Sequence, residues 1–443
     1  MDDPRRNIYS NDVDFEVLAL QDKEFAKYLK TNGQMDFTDP DAVRQLTKSL
    51  LKRDFGLEVD LPEDRLCPPV PNRLNYVLWI QDLVDCTTDE YSHGLSNTHR
   101  EVVGLDIGTG ASCIYPLLAC TTRPTWRMAA TELDEKNVHY ARRNVDMNGL
   151  ADRIDIVAVE KADDPLIPLD NLRFDSADFT MCNPPFYESK EEMIESAKSK
   201  SRPPFSACTG AKVEMVTPGG EVAFVSRMIE ESVKLGPRIR WFTSMLGKLS
   251  SVVTLIEKLK DVGISNYAVT ELVQGKTRRW AIGWSWQDWR PTTKIARGIK
   301  SISKNLLAFT PEFTFYPSFD SISDLVNAIQ SEIESLGLMF NWDSVGLRGV
   351  GFAAENVWSR HARRKRMQGA PAGPALSSPS DAQLGFSIQV RVRELTNAEV
   401  VVRWIKGNDQ ALFESFCGAL KRKVEAAGVK TEGPKEKKQR TGE

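Results

Sequence analysis

Long hydrophobic runs are absent from this chain of 443 residues. No run approaches the roughly 18 apolar residues that a membrane-spanning helix needs. The polar start, Met1 to Arg6, also lacks the apolar stretch of a secretory signal. These two absences argue against a protein that spans a membrane or is secreted.

Metal-ligand and disulfide patterns are missing as well. The chain has four histidines and seven cysteines, and no cysteine pair is spaced as C-x-x-C. We therefore expect no structural metal site, and the odd, irregular set of cysteines is typical of a reducing compartment. The net charge of −3 excludes a polycation. Any contact with nucleic acid must come from local basic segments.

Alternating strand and helix patterns are what the sequence does contain. Strand patterns occur at 102–106, 126–132, 154–159, 174–182, 240–245, 267–273 and 280–286. Helical patterns separate most of them. This order predicts an α/β fold with a mostly parallel sheet, helices on both faces and an antiparallel edge. Ahead of this region, Asp39 and Pro40 are typical of a helix start.

Composition divides the chain into five parts. We predict a basic arm at 1–35, an α/β domain with a helical N-terminal part at 36–290, an α+β accessory domain split between 302–366 and 385–426, a linker at 367–384, and a charged tail at 427–443. The linker has few bulky apolar residues, which favours disorder. Inside the accessory domain we predict a basic helix over 350–366.

The turn Asn183-Pro184-Pro185-Phe186 follows the buried strand pattern at 177–182. Its prolines lack an N–H and restrict the backbone, so the carbonyl groups of the turn are available to a ligand. Asn183 offers a carboxamide oxygen and Phe186 a flat stacking face. This combination suits methyl transfer to a planar amino group. Taken alone, the tetrapeptide is also compatible with an ordinary proline-rich turn.

A glycine-rich loop leaves the first strand as Gly104-x-Asp106-x-Gly108-x-Gly110. Its glycines let a ligand approach the backbone, and the helix that follows offers free N–H groups. Asp106 would repel a diphosphate but suits a cationic amino acid or a sulfonium. Glu132 ends the second strand, where an acid typically binds ribose hydroxyls. These residues favour S-adenosylmethionine (SAM) over NAD, with the Asn-Pro-Pro-Phe turn beside it at the carboxyl edge of the sheet.

Two stretches, Gly104 to Leu118 and Met181 to Phe186, carry a family resemblance. Shorter matches occur at 73–76, 130–134, 240–241, 245–248 and 274–280, with weaker ones at 355–358 and 404–407. On these residues the chain resembles the methyltransferase-like 16 family of RNA adenine-N6 methyltransferases. The weaker matches resemble the split C-terminal RNA-binding region of that family, which implies that the accessory domain binds RNA. The resemblance implies a class I SAM-dependent fold, Rossmann-like with seven strands. It also implies U6 small nuclear RNA as substrate, whereas bacterial relatives modify large-subunit ribosomal RNA.

The resemblance further implies roles for individual residues. The predicted cofactor-binding residues are Arg73, Asp106, Gly108, Gly110, Glu132, Asp163 and Asn183. In this set Arg73 would contact the SAM carboxylate and Glu132 the ribose, while Asn183 would bridge cofactor and acceptor. The family has a threonine where this chain has Asp163.

The catalytic turn is expected to work on an unpaired adenine, because the base must lie outside a helix. The predicted catalytic residues are Asn183, Pro184, Pro185 and Phe186. Phe186 would stack on the base, and no dedicated general base is expected. The predicted RNA-binding cations are Arg6, Lys200, Arg202, Lys248, Lys276, Arg278 and Arg279. Two of these lie in 188–211, a long segment that is either a solvated surface loop or, given its position directly after the catalytic turn, a cover for the substrate.

Three alternatives stay open at this point. The acceptor could be ribosomal RNA, or the side-chain amide of a protein glutamine, which is also planar. The chain could also be a non-catalytic RNA-binding protein that senses SAM. The basic segments favour RNA over a protein substrate. We expect a nuclear protein, with a cytoplasmic pool as a further option.

Overall fold

The computed structural model describes residues 6–88, 100–192, 195, 210–275, 277–368, 376–394 and 397–428. The described chain divides into two compact units. The first takes in the described residues up to 287 together with 294–308, and the second takes in 288–293 and the described residues from 309 onwards.

One twisted sheet organises the first unit. Its strands are β1 (Val102–Ile107), β2 (Trp126–Glu132), β3 (Ile154–Ala158), β4 (Ala177–Cys182), β5 (Ile239–Leu246), β6 (Tyr267–Gln274), β7 (Thr277–Trp284) and β8 (Arg297–Gly298). Their order is β3-β2-β1-β4-β5-β7-β6-β8. The five neighbouring strands β3, β2, β1, β4 and β5 are parallel, and β7 runs antiparallel to both β5 and β6. The predicted parallel sheet with an antiparallel hairpin is confirmed, and β8 adds a two-residue strand.

Helices cover this sheet. The helices up to residue 308 are Phe15–Gln21, Lys23–Ala26, Pro40–Phe55, Val70–Asp85, Ile114–Thr122, Glu135–Met147, Lys212–Met215, Gly220–Leu235, Leu249–Asp261 and Thr293–Ala296. The helix predicted at Asp39 begins as expected: the Asp39 side chain accepts a hydrogen bond from the Asp41 N–H, Pro40 occupies the first turn, and Gly56 ends the helix at φ 65°. None of the helices in the described ranges has the length and apolar content of a membrane span.

The central pair β1 and β4 positions the candidate site. The two strands are in register from Gly104 opposite Phe179 to Ile107 opposite Cys182, so they end side by side. The pairing depends on Gly104, because a Cβ at this position would lie 2.3 Å from Cζ of Phe179. The glycine loop and the Asn-Pro-Pro-Phe turn therefore leave the sheet at the same edge, where parallel sheets bind ligands.

The N-terminal segment is folded rather than a free arm. Leu18 and Phe25 are completely buried, and Tyr9 donates a hydrogen bond to Asp54 at 2.6 Å. Arg6 forms an ion pair with Asp82 and donates to Gln81 on the helix Val70–Asp85. The prediction of a basic arm at 1–35 was wrong for residues 6–35, because its apolar side chains are numerous enough to pack against the neighbouring helices.

A five-stranded antiparallel sheet forms the second unit. Its strands are β9 (Glu312–Phe315), β10 (Met339–Asp343), β11 (Arg348–Ala353), β12 (Leu384–Glu394) and β13 (Asn397–Lys406), in the order β10-β11-β12-β13-β9. Its helices are Ile322–Leu336, Arg360–Met367 and Gln410–Gly428. Side chains of this sheet and of the first and third helices share one apolar core.

The predicted helix at 350–366 was wrong in its first part, since 350–353 belong to β11. The reason is tertiary packing. A Cβ at Gly351 would lie 2.4 Å from Cζ of Phe386, and one at Gly349 equally close to Cζ of Phe340. Glycines on this strand make room for two aromatic rings, which local helix preference does not reveal.

The unit boundaries lie a few residues from the predicted ones. Residues 288–293 belong to the second unit, where the Arg290 guanidinium lies 4.2 Å from the Trp404 ring centroid and donates to the Gly407 carbonyl. At the far end of the predicted linker, Leu384 already begins β12 and is completely buried. Residues 369–375 of the linker and 429–443 of the tail lie outside the described residues.

Candidate active site

A cavity of about 370 Å³ opens at the carboxyl edge of the first sheet. Its wall combines residues of the loop after β1, the end of β2, the loop after β3 and the turn after β4. Members of the predicted site that line it are Arg73, Gly108, Gly110, Glu132, Asn183, Pro184 and Pro185. The fold therefore brings together residues that are far apart in the sequence.

The glycine loop has an unusual backbone. Gly108 and Gly110 have φ values of 72° and 67°, and Cys113, which precedes the helix Ile114–Thr122, has φ 50°. Such left-handed angles favour glycine, and a non-glycine residue that adopts them is strained. A Cβ at Gly108 would meet nothing within 4 Å, so the missing side chain leaves open space. The loop is shaped for a ligand that lies against its backbone.

Arg73 is a buried cation in the cavity wall. Its side chain comes from the helix Val70–Asp85, and only 6% of the residue is exposed. The guanidinium lies 5.6 Å from the Tyr115 ring centroid and donates to Met245 Sδ at 3.5 Å. Within the described ranges it forms no ion pair. A buried charge without a counter-ion is costly, so this position favours an anionic ligand group.

Asp106 is a buried carboxyl group behind the glycine loop and is not part of the cavity wall. Neither of its carboxylate oxygens has a hydrogen-bond partner in the described part of the chain. Burial raises the pKa of Asp106 to about 7; the nearby Thr109 hydroxyl and the Arg73 charge oppose this rise, and the charge of Glu132 adds to it. An unsatisfied carboxylate of this kind is suited to a cationic ligand group.

Glu132 is held in place by backbone donors. Oε2 accepts from the Gly110 N–H at 2.8 Å, and Oε1 accepts from the N–H groups of Leu133 and Asp134, both at 3.0 Å. The carboxylate therefore has a fixed orientation at the end of β2. Its remaining acceptor capacity suits a diol such as that of ribose.

Asn183 stands at the junction of the cavity and the catalytic turn. Its Oδ1 is buried and has no hydrogen-bond partner among the described residues. A buried carboxamide oxygen that lacks a donor indicates a ligand donor, such as an amino group. The loop at Gly108 is open, and the buried side chains of Arg73 and Asp106 form no ion pair within the described part of the chain. The site therefore fits an amino-acid-bearing, cationic nucleoside such as SAM.

Phe186 lies beyond the cavity and is half-buried. The Arg279 guanidinium is 5.5 Å from its ring centroid. A Cβ at Gly247 would lie 2.9 Å from Phe186 Cδ1, so this glycine is needed for the ring to sit against the loop after β5. The aromatic ring and the cation therefore lie against each other outside the cavity wall.

Comparisons with known proteins agree with this geometry. A family model described as RNA methyltransferase matches residues 3–288, more than half of the chain. The chain belongs to this family of RNA methyltransferases. It is 37% identical over 397 residues to a U6 small nuclear RNA (adenine-(43)-N(6))-methyltransferase from Schizosaccharomyces pombe. The match covers 88% of this chain and 95% of that protein. It is 34% identical to the RNA N(6)-adenosine-methyltransferase mettl16 of Danio rerio, over 94% of this chain and 96% of the relative.

Solved structures of human METTL16 are also similar. A catalytic domain in complex with the MAT2A 3'UTR hairpin 1 matches 64% of this chain and 95% of that one, with a TM-score of 0.57 and 41% identity. An N-terminal domain in complex with SAH matches 64% of this chain and 98% of that one, with a TM-score of 0.53 and 39% identity. The resemblance and the fold predicted from the sequence are confirmed.

The cations predicted to bind RNA in this methyltransferase have different surroundings. Lys200, Arg202 and Lys276 lie outside the described residues, as does most of the predicted covering segment at 188–211. Lys248 pairs with Glu192 at 2.6 Å, and Arg278 pairs with Glu271 at 2.8 Å. Both cations are exposed, whereas their carboxylate partners are partly buried. Ion pairs at the surface are weak, so a phosphate can replace the carboxylate.

Two predicted site residues have surroundings that do not favour the roles assigned to them. Arg6 is engaged by Asp82 and Gln81, which leaves it poorly placed to hold an RNA phosphate. Asp163 is exposed and is not part of the cavity wall, although Lys161, Ala162 and Asp164 are. The loop after β3 thus presents its neighbours to the cavity, and the Asp163 side chain gains no contact there.

Several residues around the site were assigned no role from the sequence. Tyr115 and Met245 flank Arg73 but resemble ordinary core residues of a helix and a strand. Glu221 is buried and accepts from the N–H groups of Gly247 at 2.6 Å and Lys248 at 3.0 Å, which fixes the loop beneath Phe186. Glu214 lines the cavity itself. A lone glutamate in a mixed polar segment has no pattern that would reveal such a role.

Proposed function

We propose that this enzyme transfers a methyl group from SAM to the exocyclic N6 amine of an unpaired adenine in structured RNA, with U6 small nuclear RNA as the substrate. One observation supports the chemistry above all others. Asn183, whose Oδ1 has no hydrogen-bond partner among the described residues, lines the same cavity as the buried Arg73, which forms no ion pair with any of them. The fission yeast relative, which matches over nearly its whole length, supports U6.

The cofactor would be held by charge and by hydrogen bonds. Arg73 and Glu132 line the cavity and suit the SAM carboxylate and the ribose hydroxyls. Asp106 lies outside the cavity wall, behind the glycine loop, and would act on the cationic groups of SAM through its charge. When bound, SAM supplies an electrophilic methyl group. The chain's own contribution is to orient the two partners and to keep water away from a largely buried site.

Asn183 and Pro184 would orient the acceptor amine. The nitrogen lone pair of an adenine N6 is delocalised into the ring, which makes the amine a poor nucleophile. Hydrogen bonds from the amine to Asn183 Oδ1 and to the Pro184 carbonyl favour a pyramidal nitrogen, whose lone pair can point at the methyl group. Neither of the described histidines, His139 and His361, lines the cavity. Rate enhancement would therefore come from positioning and from the electrostatic field of the site.

The outer side of the turn would select the base. Phe186 presents a ring for stacking, and Arg279 already lies over that ring. Burial lowers the pKa of Arg279, as does the neighbouring charge of Arg73, while Glu221 and Tyr187 oppose this change. A half-buried cation in this state gains from an RNA phosphate or from stacking on a base. An unpaired adenine can reach this position without the cost of opening a helix.

Methylation of total RNA tests the proposal directly. The protein is incubated with labelled SAM and total cellular RNA, and the label is mapped by sequencing and by nuclease digestion. Label at an adenine N6 of U6 is the expected result. Label confined to ribosomal RNA would refute U6 as substrate, and label confined to protein would refute the RNA assignment.

We also propose that the enzyme acts in the nucleus, where a small nuclear RNA is found. The basic tail at 427–443 is the candidate import signal. A fluorescent fusion of the full chain should accumulate in the nucleus, and a fusion that lacks 427–443 should accumulate less. An exclusively cytoplasmic full-length fusion would contradict the proposal.

A further inference from the structure

Glu214 is a carboxylate in the cavity wall to which the proposed reaction assigns no role. It lies on the short helix Lys212–Met215. Its Oε2 accepts hydrogen bonds from the N–H groups of Leu66 and Ala211, both at 2.9 Å. Its Oε1 lies 3.8 Å from the point where a Cβ on Gly110 would stand. One oxygen is therefore used by the backbone, and the other lies beside the glycine loop.

A single amide group stands between Glu214 and Glu132. Nδ2 of the buried Asn137 lies 3.4 Å from Oε1 of Glu214 and 3.5 Å from Oε1 of Glu132. Both contacts are long for a hydrogen bond. Among the described residues, Oε1 of Glu214 has no closer donor and Oε2 of Glu132 accepts only from the Gly110 N–H, so each carboxylate keeps acceptor capacity in the cavity wall. A ligand with two adjacent hydroxyl groups matches two neighbouring carboxylates.

The segment that carries Glu214 is also bonded to the catalytic turn. The Tyr187 N–H donates to the Met215 carbonyl at 3.1 Å, and the Thr217 N–H donates to the Tyr187 carbonyl at 3.0 Å. Tyr187 directly follows the Asn-Pro-Pro-Phe turn. A shift of Glu214 by a ligand is thus transmitted over a few covalent bonds and two hydrogen bonds to the residue next to Phe186.

We propose that Glu214 is a positioning residue whose Oε1 accepts a hydrogen bond from a ribose hydroxyl of the cofactor, beside Glu132, and which thereby places Tyr187 and the catalytic turn. The proposal rests on SAM as the cofactor and is independent of which RNA is methylated. It gives the enzyme a direct link between the cofactor cavity and the acceptor side of the turn.

The variant Glu214→Gln isolates the cavity-facing oxygen. Both backbone donors bond to the same atom, Oε2, so the glutamine oxygen can take its place while an NH₂ group replaces Oε1. Calorimetry without RNA measures the binding of S-adenosylhomocysteine and of its 2′-deoxy and 3′-deoxy analogues. We expect Glu214→Gln to bind S-adenosylhomocysteine about tenfold more weakly, since a hydrogen bond to a charged acceptor is lost.

Discrimination between ligands separates a ribose contact from a structural effect. The wild-type protein should bind S-adenosylhomocysteine more tightly than one of the two deoxy analogues. The ratio of these two affinities should be about tenfold larger in the wild-type protein than in Glu214→Gln. Unchanged affinity would overturn the proposal, as would weaker affinity with unchanged discrimination. Glu257→Gln, an exposed charge-matched change on the helix Leu249–Asp261, should bind all three ligands like the wild type.

Amide hydrogen exchange tests the link to the catalytic turn. Saturation with S-adenosylhomocysteine should slow exchange at Tyr187 and Thr217 in the wild-type protein, and should slow it less in Glu214→Gln at equal saturation. Equal slowing in both proteins would overturn the link. Because no RNA is present, these results stand or fall separately from the proposal that U6 is the substrate.

Discussion

Cofactor affinity should rise with pH because of Asp106. This carboxyl group is completely buried, and burial raises its pKa to about 7. It is therefore mostly protonated at pH 6 and mostly ionised at pH 8. A cofactor that carries an ammonium and a sulfonium binds the ionised form more tightly. The charges that face Asp106 are Glu132, which raises its pKa, and Arg73, which lowers it.

The size of the effect follows from the ionised fraction. With a pKa of about 7, roughly a tenth of Asp106 is ionised at pH 6 and roughly nine-tenths at pH 8. If the cofactor binds only the ionised form, affinity increases about tenfold between these values, or about 1.4 kcal/mol. Binding at pH 6 should release close to one proton per site.

Calorimetry with S-adenosylmethionine in the absence of RNA, at pH 6, 7 and 8, checks this prediction. Titration in two buffers of different ionisation enthalpy gives the number of protons released. Asp106→Asn keeps the size of the side chain, and it should bind more weakly and show little change with pH. Affinity that stays flat or falls from pH 6 to pH 8 in the wild-type protein would refute the role assigned to Asp106.

Three further predictions concern the turn, the sheet and the second unit. Asn183→Ala should abolish methyl transfer but leave RNA affinity nearly unchanged in a gel-shift assay; turnover like that of the wild type would refute the site. Gly104→Ala should lower the free energy of unfolding by about 1–3 kcal/mol in denaturant titrations, because the added methyl meets Phe179. The control Gly418→Ala should not lower it, because its methyl would meet only the tip of Arg422. A chain that ends at residue 308 should bind RNA more weakly but S-adenosylhomocysteine normally; an equal loss of both would contradict a separate RNA-binding unit.

Much of the first unit could be predicted from local sequence. The cap at Asp39, the alternation of strands and helices and the glycine loop depend on residues close together in the chain, which is why their bounds were nearly correct. The strand β11 could not be predicted in this way. Its sequence has no strong local preference, and the rings of Phe340 and Phe386 decide its conformation from other strands.

The sequence by itself determined the chemistry of the site: the glycine loop, Glu132 and the Asn-Pro-Pro-Phe turn specify a SAM site beside an amine-binding turn. Only the tertiary structure decided which charges are buried and which segments meet there. It buries Arg73 and Asp106, turns Asp163 outward and brings Glu214 beside Glu132. The physical reason is that desolvation and hydrogen bonding depend on neighbours in space, and a linear pattern contains no information on those neighbours.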